Sequence, residues 1–279
     1  MTVVHETSEG RVVALDSLTH CDGRVSTLDV VVTGSFAGPL AFGFALECGV
    51  RALVAHAAGV GLDSAGIAGL AFAARFALPA TAVETMSARL GDGRSVHDDG
   101  VVAFVNAEAE GLDVHAGMPA SVAARRLLAA PPGRVMRGLA LVDRSQRVIR
   151  ESGGRRVILM GSTSFVTAAN RQDVLCVGSH GARVNALPLL AVCPCGVIFN
   201  DGGLARDRSG VGALRLLDEA GVAAATVDTM TARIGDPLST WETGVLSTVN
   251  HTATRRGVTS GQPARRAADL MLGLPPSAP

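Results

Sequence analysis

Lysine and tyrosine are absent from this chain, and tryptophan occurs once. All 25 basic residues are arginine, balanced by 25 acidic residues. Without lysine there is no internal aldimine to pyridoxal phosphate, no Schiff-base aldolase, no serine–lysine hydrolase and no Walker-type phosphate loop. A tyrosine–lysine dehydrogenase is excluded on the same ground. Zero net charge, with both signs interspersed, leaves no electrostatic footprint for a phosphate backbone or an anionic membrane surface, so neither nucleic acid nor membrane is expected as a partner. No apolar run reaches the roughly 18 to 20 uncharged residues that a spanning helix needs. The amino terminus, with His5, Glu6 and Glu9, lacks a basic region followed by an apolar core, and a cytoplasmic location is the expectation. Cys21, Cys48, Cys176, Cys193 and Cys195 show neither disulfide nor zinc spacing and read as reduced thiols. The seven histidines show no repeated ligand spacing, so no metal site is expected.

What the chain does have, it has twice. Thr85-Met-Ser-Ala-Arg89-Leu-Gly-Asp92 returns as Thr229-Met-Thr-Ala-Arg233-Ile-Gly-Asp236, an offset of 144 residues that also carries Asp29 onto Asp173, Gly34-Ser35 onto Gly178-Ser179, Asp63 onto Asp207 and Asn106 onto Asn250. A period that long is a duplicated domain, not a solenoid. The expected organisation is a first repeat over residues 1–130, a linker over 131–145 beginning Pro131-Pro132-Gly133, and a second repeat over 146–279.

Each repeat opens with two short strands, Val3 to Glu6 and Val12 to Leu15 or Arg147 to Glu151 and Val157 to Met160, with Gly10 or Gly154 at the turn. Apolar strands follow from Val30 or Val174, at Ala52 to Ala55 or Val197 to Phe199, and at Ala80 to Val83 or Ala224 to Val227, separated by helix-length segments. Alternating strands and helices imply parallel sheets covered by helices. The expectation is α/β: two tandem homologous repeats with parallel three-layer, Rossmann-like sheets related by a pseudo-twofold axis. Ser95 to Asp98 and Ser239 to Glu242 have capping-box spacing and predict a helix whose apolar face is Val101, Phe104 and Val105, or Val245, Leu246 and Val249, with Asn106 or Asn250 as its polar position. Pro119 and Pro263 suit the first turn of a last helix.

Three constellations offer chemistry. Gly34-Ser35 and Gly178-Ser179 read as turns from a strand into a helix, where amides and hydroxyls would hold a carboxylate or phosphate. His180, where the first repeat has Phe36, would serve as a general acid or base, or activate Ser179. A nucleophile elbow at Ser179 lacks its first glycine, since Val177 stands there. The second constellation is Asp201 and Asp207 with Gly202 and Gly203, facing His56 and Asp63 in the first repeat; His56 in place of Asn200 makes the repeats chemically unequal. The third is the octapeptide, in which Arg89 and Arg233 would grip an anion while Asp92 and Asp236 orient them.

The expected function is that of a cofactor-independent enzyme on a small carboxylate- or amide-bearing metabolite, a hydrolase or an acid–base isomerase or lyase, with its site between the repeats. Its partner is then a small anionic substrate; assembly as a homo-oligomer is left open. A non-enzymatic small-molecule sensor is the competing class. A dinucleotide-dependent oxidoreductase is the third, resting on Gly59-x-Gly61 with Glu84, although Gly66 is misplaced for the fingerprint.

Overall fold

The computed structural model describes residues 1–274. The chain folds as two compact units, of which unit 1 comprises Met1–Val60, Ser64–Asp143 and Ala205–Asp207, and unit 2 comprises Gly61–Asp63, Arg144–Leu204 and the chain from Arg208 onward. Each unit is mixed α/β and contains one six-stranded sheet.

In unit 1 the elements are β1 (Thr2–Thr7), β2 (Gly10–Leu15), β3 (Val30–Phe36), α1 (Pro39–Cys48), β4 (Ala52–His56), α2 (Ala68–Ala74), β5 (Ala80–Val83), α3 (Gly93–Asp99), β6 (Val102–Val105), α4 (Ala107–Glu110) and α5 (Ala120–Arg126). Strands lie in sequence order, β1 to β6; β2 to β5 are parallel and the two edge strands antiparallel. In unit 2, β7 (Gln146–Ser152), β8 (Arg155–Met160), β9 (Val174–His180), α6 (Leu187–Val192), β10 (Gly196–Asn200), α7 (Ala213–Glu219), β11 (Ala223–Val227), α8 (Pro237–Thr243), β12 (Leu246–Val249), α9 (His251–Thr254) and α10 (Ala264–Leu272) repeat the same order and the same pairing.

Strand periodicity explains the cores. In unit 1, Val13, Val31, Leu53 and Ala82 pack with Phe42 and Leu46 of α1 and Leu70 of α2, whereas their neighbours Val12, Val30, Val54 and Val83 pack with Val96 of α3 and Ala120, Ala123 and Ala124 of α5. Successive side chains on a strand point to opposite faces, so strands apolar on both faces must be covered twice. Unit 2 divides its core in the same way, between Leu189, Leu214 and Leu217 on one side and Ala253, Ala264, Ala268 and Met271 on the other.

Sequential strand order creates a topological demand. Crossovers that all advance in one direction with one hand place their helices on one face, and α1 and α2 do share a face. To cover the other, the chain must pass over the carboxyl edge of its sheet. The repeated octapeptide makes this passage. Leaving β5, it places Ala88 O at 3.0 Å from His56 Nε2 at the end of β4, donates Gly91 N–H to Gly34 O of β3 at 2.8 Å, and ends with Gly93 N–H on Asp16 Oδ1 beyond β2. In unit 2, Ala232 O accepts from Asn200 Nδ2 at 3.1 Å and Gly235 N–H donates to Gly178 O at 2.7 Å.

Several sequence expectations are corrected here. Gly34-Ser35 and Gly178-Ser179 lie inside β3 and β9, not in turns; both strands run on to Phe36 and His180 through an irregular register. The helix expected from Ser95 or Ser239 begins earlier, with Asp92 or Asp236 as N-cap; Asp92 Oδ1 accepts Ser95 N–H and Asp236 Oδ1 accepts Ser239 N–H. It also ends earlier. Val102–Val105 and Leu246–Val249 form antiparallel edge strands, because Gly100 and Gly244 stop the helix and short β-branched runs follow. Asn106 and Asn250 are therefore N-caps of α4 and α9, not polar positions on an apolar helix. Residues 131–136 lie against unit 1, where Gly133 N–H donates to Thr27 O and Met136 N–H to Leu46 O. No helix among the described residues is long and apolar enough to cross a membrane.

Candidate functional site at the carboxyl ends of the strands

The duplication provides an internal control, since the same strand ends are built twice with different side chains. In unit 1, His56 is wholly buried. Its Nδ1 accepts Ala58 N–H at 3.0 Å, which leaves the ring proton on Nε2 to donate to Ala88 O. Burial pushes its pKa down to about 4, partly opposed by the bond to Ala88. In unit 2, Asn200 does the same work: Oδ1 accepts Gly202 N–H at 2.9 Å and Nδ2 donates to Ala232 O. The expected inequality of His56 and Asn200 is thus overturned, because a neutral imidazole and a carboxamide present one acceptor and one donor at matching positions.

The real asymmetry lies beside them. In unit 1, Ser35 Oγ accepts Leu18 N–H at 2.9 Å and Thr85 Oγ1 accepts Gly59 N–H at 2.8 Å. In unit 2, Gly203 N–H goes instead to Asp201 Oδ1 at 3.0 Å, which also accepts Thr229 N–H at 3.1 Å. Ala57 occupies the place of Asp201 in the first repeat. This rewiring leaves Thr229 Oγ1 buried with no hydrogen-bond partner; Ser179 Oγ is likewise buried and unpartnered, lacking a counterpart of the Leu18 N–H that Ser35 accepts. Gly61 packs against the first of these; a Cβ there would come within 2.7 Å of Thr229 Oγ1. A buried hydroxyl left unsatisfied costs about 1–3 kcal/mol, and these two stand at the carboxyl ends of β9 and β11.

His180 follows Ser179 in β9, and Asp201 Oδ1 accepts the Thr229 amide. His180 is buried; its Nδ1 stands 3.3 Å from Ala182 N and from Asn185 Nδ2, and Asn185 Nδ2 also donates to His180 O at 2.7 Å. With Nδ1 accepting a backbone N–H, the imidazole carries its proton on Nε2. Asp201, also buried, has its carboxyl pKa raised by desolvation, opposed by the Ser247 hydroxyl and the Gly203 and Thr229 amides, with Asp228 adding to the rise.

The remaining predicted residues fall elsewhere. Gly34 and Gly178 make room for the crossing octapeptide: a Cβ on Gly34 would lie 2.2 Å from Asp92 N, and one on Gly178 would lie 2.8 Å from Gly235 C. Arg89 bonds Asp92 at 3.2 Å and Asp207 at 3.1 Å, all three in unit 1. Arg233 bonds Asp63 at 2.7 Å, both in unit 2. These pairs are half-exposed and worth only about 0–1 kcal/mol each. Asp207 therefore stands with Arg89 and not with Ser179 and His180. Thr229, Asn185 and Ser247 were missed from sequence; the exchange of Ala57 for Asp201 was the signal that pointed to Thr229 and Ser247, and none pointed to Asn185. Among the described residues no group of three His, Cys, Asp or Glu side chains is placed to hold a metal ion. No protein-family model matches the chain, and comparison with curated proteins and with solved structures gives no match.

Proposed function

We propose that unit 2 binds a small carboxylate- or amide-bearing metabolite at the carboxyl ends of β9 to β11 and converts it without an organic cofactor, while unit 1 is a copy in which the same positions carry structure alone. The observation behind this reading is the pair of buried, unpartnered hydroxyls, Ser179 and Thr229, whose counterparts Ser35 and Thr85 are satisfied. Each unit is taken as a Rossmann-like, three-layer α/β/α body, with the active edge where the octapeptide crosses. Arg233 exchanges Asp63 for the substrate carboxylate, and Ser179 and Thr229 hydrogen-bond the substrate. His180 donates from Nε2 to a carbonyl oxygen that gains negative charge, and Asp201, its pKa raised by burial, moves the proton. Because no base is bonded to Ser179 Oγ, acid–base isomerisation or elimination is favoured over hydrolysis through a seryl ester.

The test uses substitutions that the first repeat already tolerates. His180→Phe and Asp201→Ala install the residues found at Phe36 and Ala57, so folding is expected to persist. Small dicarboxylates, hydroxy acids, cyclic amides, phosphates and nucleotides are screened by thermal shift, and the hits are followed for turnover by proton NMR. Turnover of a carboxylate or amide that disappears in both variants, with binding weakened by Arg233→Ala, is the expected result. Binding without turnover would make the protein a sensor, and selective binding of a dinucleotide would make it a cofactor-dependent enzyme. Turnover undiminished in His180→Phe and Asp201→Ala would sink the proposal.

A further inference from the structure

Cys21 and Cys48 are 27 residues apart in sequence, and the fold of unit 1 brings them together. After β2 the chain makes one short 3-10 turn, Leu18–His20, which Ser17 caps by accepting Thr19 N–H and which ends at Cys21. Cys48 is the last residue of α1, before Gly49 closes the helix in the left-handed conformation. Cys48 Sγ donates to Cys21 O at 3.1 Å, and the two thiols also hydrogen-bond each other. Both are free and half-buried, packed against the core that contains Phe42 and Leu46, so they are ordered and still within reach of a small reagent.

Unit 2 shows that this junction of turn and helix does not need sulfur. Its own 3-10 turn, Thr163–Phe165 capped by Ser162, ends at Val166, and α6 ends at Val192 before the left-handed Cys193. Valines therefore stand where unit 1 has two thiols. Cys193 and Cys195 of unit 2 donate instead to Leu190 O and Met271 O. Surroundings also make the unit 1 thiols unequal. The hydrogen bond from Cys21 and the Arg137 guanidinium hold the Cys48 thiol below its ordinary range, against burial and the charges of Glu47 and Asp22. The Cys21 thiol is pushed up by its bond to Cys48, by burial and by the negative charge around it. Thiolates, not thiols, attack electrophiles, so Cys48 is disposed to react while Cys21 waits beside it.

We propose that Cys21 and Cys48 form a peroxide-reactive dithiol specific to unit 1, in which Cys48 is oxidised first and Cys21 resolves it into an intramolecular disulfide. The Cys48 thiolate attacks one peroxide oxygen; the O–O bond breaks, hydroxide leaves and a sulfenic acid forms. Cys21 then attacks that sulfur. The S–O bond breaks as the S–S bond forms, and the hydroxyl departs as water with the Cys21 proton. Two electrons leave the sulfur pair, and one hydrogen peroxide, with the two thiol protons, becomes two waters. The site is independent of the strand-end reading in unit 2.

The full chain is exposed to a small excess of hydrogen peroxide, alkylated with iodoacetamide and mapped by mass spectrometry. A cross-linked peptide joining Cys21 to Cys48, an intact mass lower by two hydrogens, and recovery of both thiols with dithiothreitol are expected. Cys21→Val and Cys48→Val install the residues found at Val166 and Val192, so folding should persist. With dimedone present, Cys21→Val should trap Cys48 as its sulfenic adduct, at least about tenfold more than dimedone labels Cys21 in Cys48→Val. The mapping of the parent chain decides the matter even if either variant folds poorly. Oxidation confined to Cys193 and Cys195, a disulfide between two copies of the chain in place of the internal one, or equal dimedone labelling of Cys21 and Cys48 would each overturn the assignment.

Discussion

Replacing His56 with asparagine tests whether the buried imidazole is an architectural group interchangeable with the Asn200 carboxamide. The two side chains accept one N–H, from Ala58 or Gly202, and donate to one carbonyl, of Ala88 or Ala232, at 2.9 to 3.1 Å. His56→Asn keeps both bonds and removes roughly 40 Å³, so near pH 8 it should cost about 1 kcal/mol. His56→Ala strands both backbone groups and enlarges the void, and should cost about 4 kcal/mol. The difference with pH is sharper. His56 has a folded pKa near 4 against 6.5 in the unfolded chain, so between those values the unfolded state binds the extra proton. Stability is full above pH 6.5 and falls as pH drops toward 4, by about 1.4 kcal/mol per pH unit and about 3 kcal/mol in all. His56→Asn has no such group. It should therefore be slightly less stable than the parent at pH 8 and about 2 kcal/mol more stable at pH 4 to 4.5. Urea denaturation followed by far-ultraviolet circular dichroism, with the fluorescence of Trp241 reporting on unit 2, measures the difference. The reasoning fails if the stability curves of parent and His56→Asn run parallel from pH 8 to pH 4, or if Asn is as damaging as Ala at pH 8.

Two further outcomes follow from the fold. Gly34→Ala brings a Cβ to 2.2 Å from Asp92 N and 2.5 Å from Gly91 C, whereas Gly178→Ala meets Gly235 C and O at 2.8 Å; equilibrium denaturation should show a loss above about 3 kcal/mol for the first and about 1–2 kcal/mol for the second. Asp29 is buried, and although desolvation raises its carboxyl pKa, the bonds from Arg11 and Ser26 outweigh this and hold it below 3.8. Its contribution is present above that value and is lost as pH falls through the folded pKa, so Asp29→Asn should cost about 2 kcal/mol at pH 7 and progressively less toward pH 3. A penalty independent of pH would show that the charge on Asp29 does not matter.

Periodicity and repetition made most of the fold legible. Hairpin, buried strand and following helix were placed from their apolar runs and glycines because burial on both faces leaves an unmistakable pattern in composition. The stretch after Asp92 was misread because Ser95 and Asp98 imitate a capping box while the actual cap, Asp92, lay inside a motif already assigned to ligand binding. Val102–Val105 then looked helical, since four apolar residues carry too little periodicity to separate a short edge strand from one turn of helix.

The amino acids alone determined that a domain is duplicated, that its strands are apolar on both sides, and that one eight-residue passage recurs in each copy. Only the tertiary structure decided what that passage does. It crosses the carboxyl edge of a sheet whose strands lie in sequence order, and Gly34 and Gly178 are bare because a backbone lies against them. Sequence also marked His56 and Asn200 as different, and space made them the same, because hydrogen bonding depends on where a donor and an acceptor sit and not on the name of the side chain that carries them. The converse holds for Ser179 and Thr229. They match Ser35 and Thr85 letter for letter, yet Asp201 in place of Ala57 takes the Gly203 amide away from Thr229, and Ser179 has no counterpart of the Leu18 N–H that Ser35 accepts, so the second pair alone is buried without a partner.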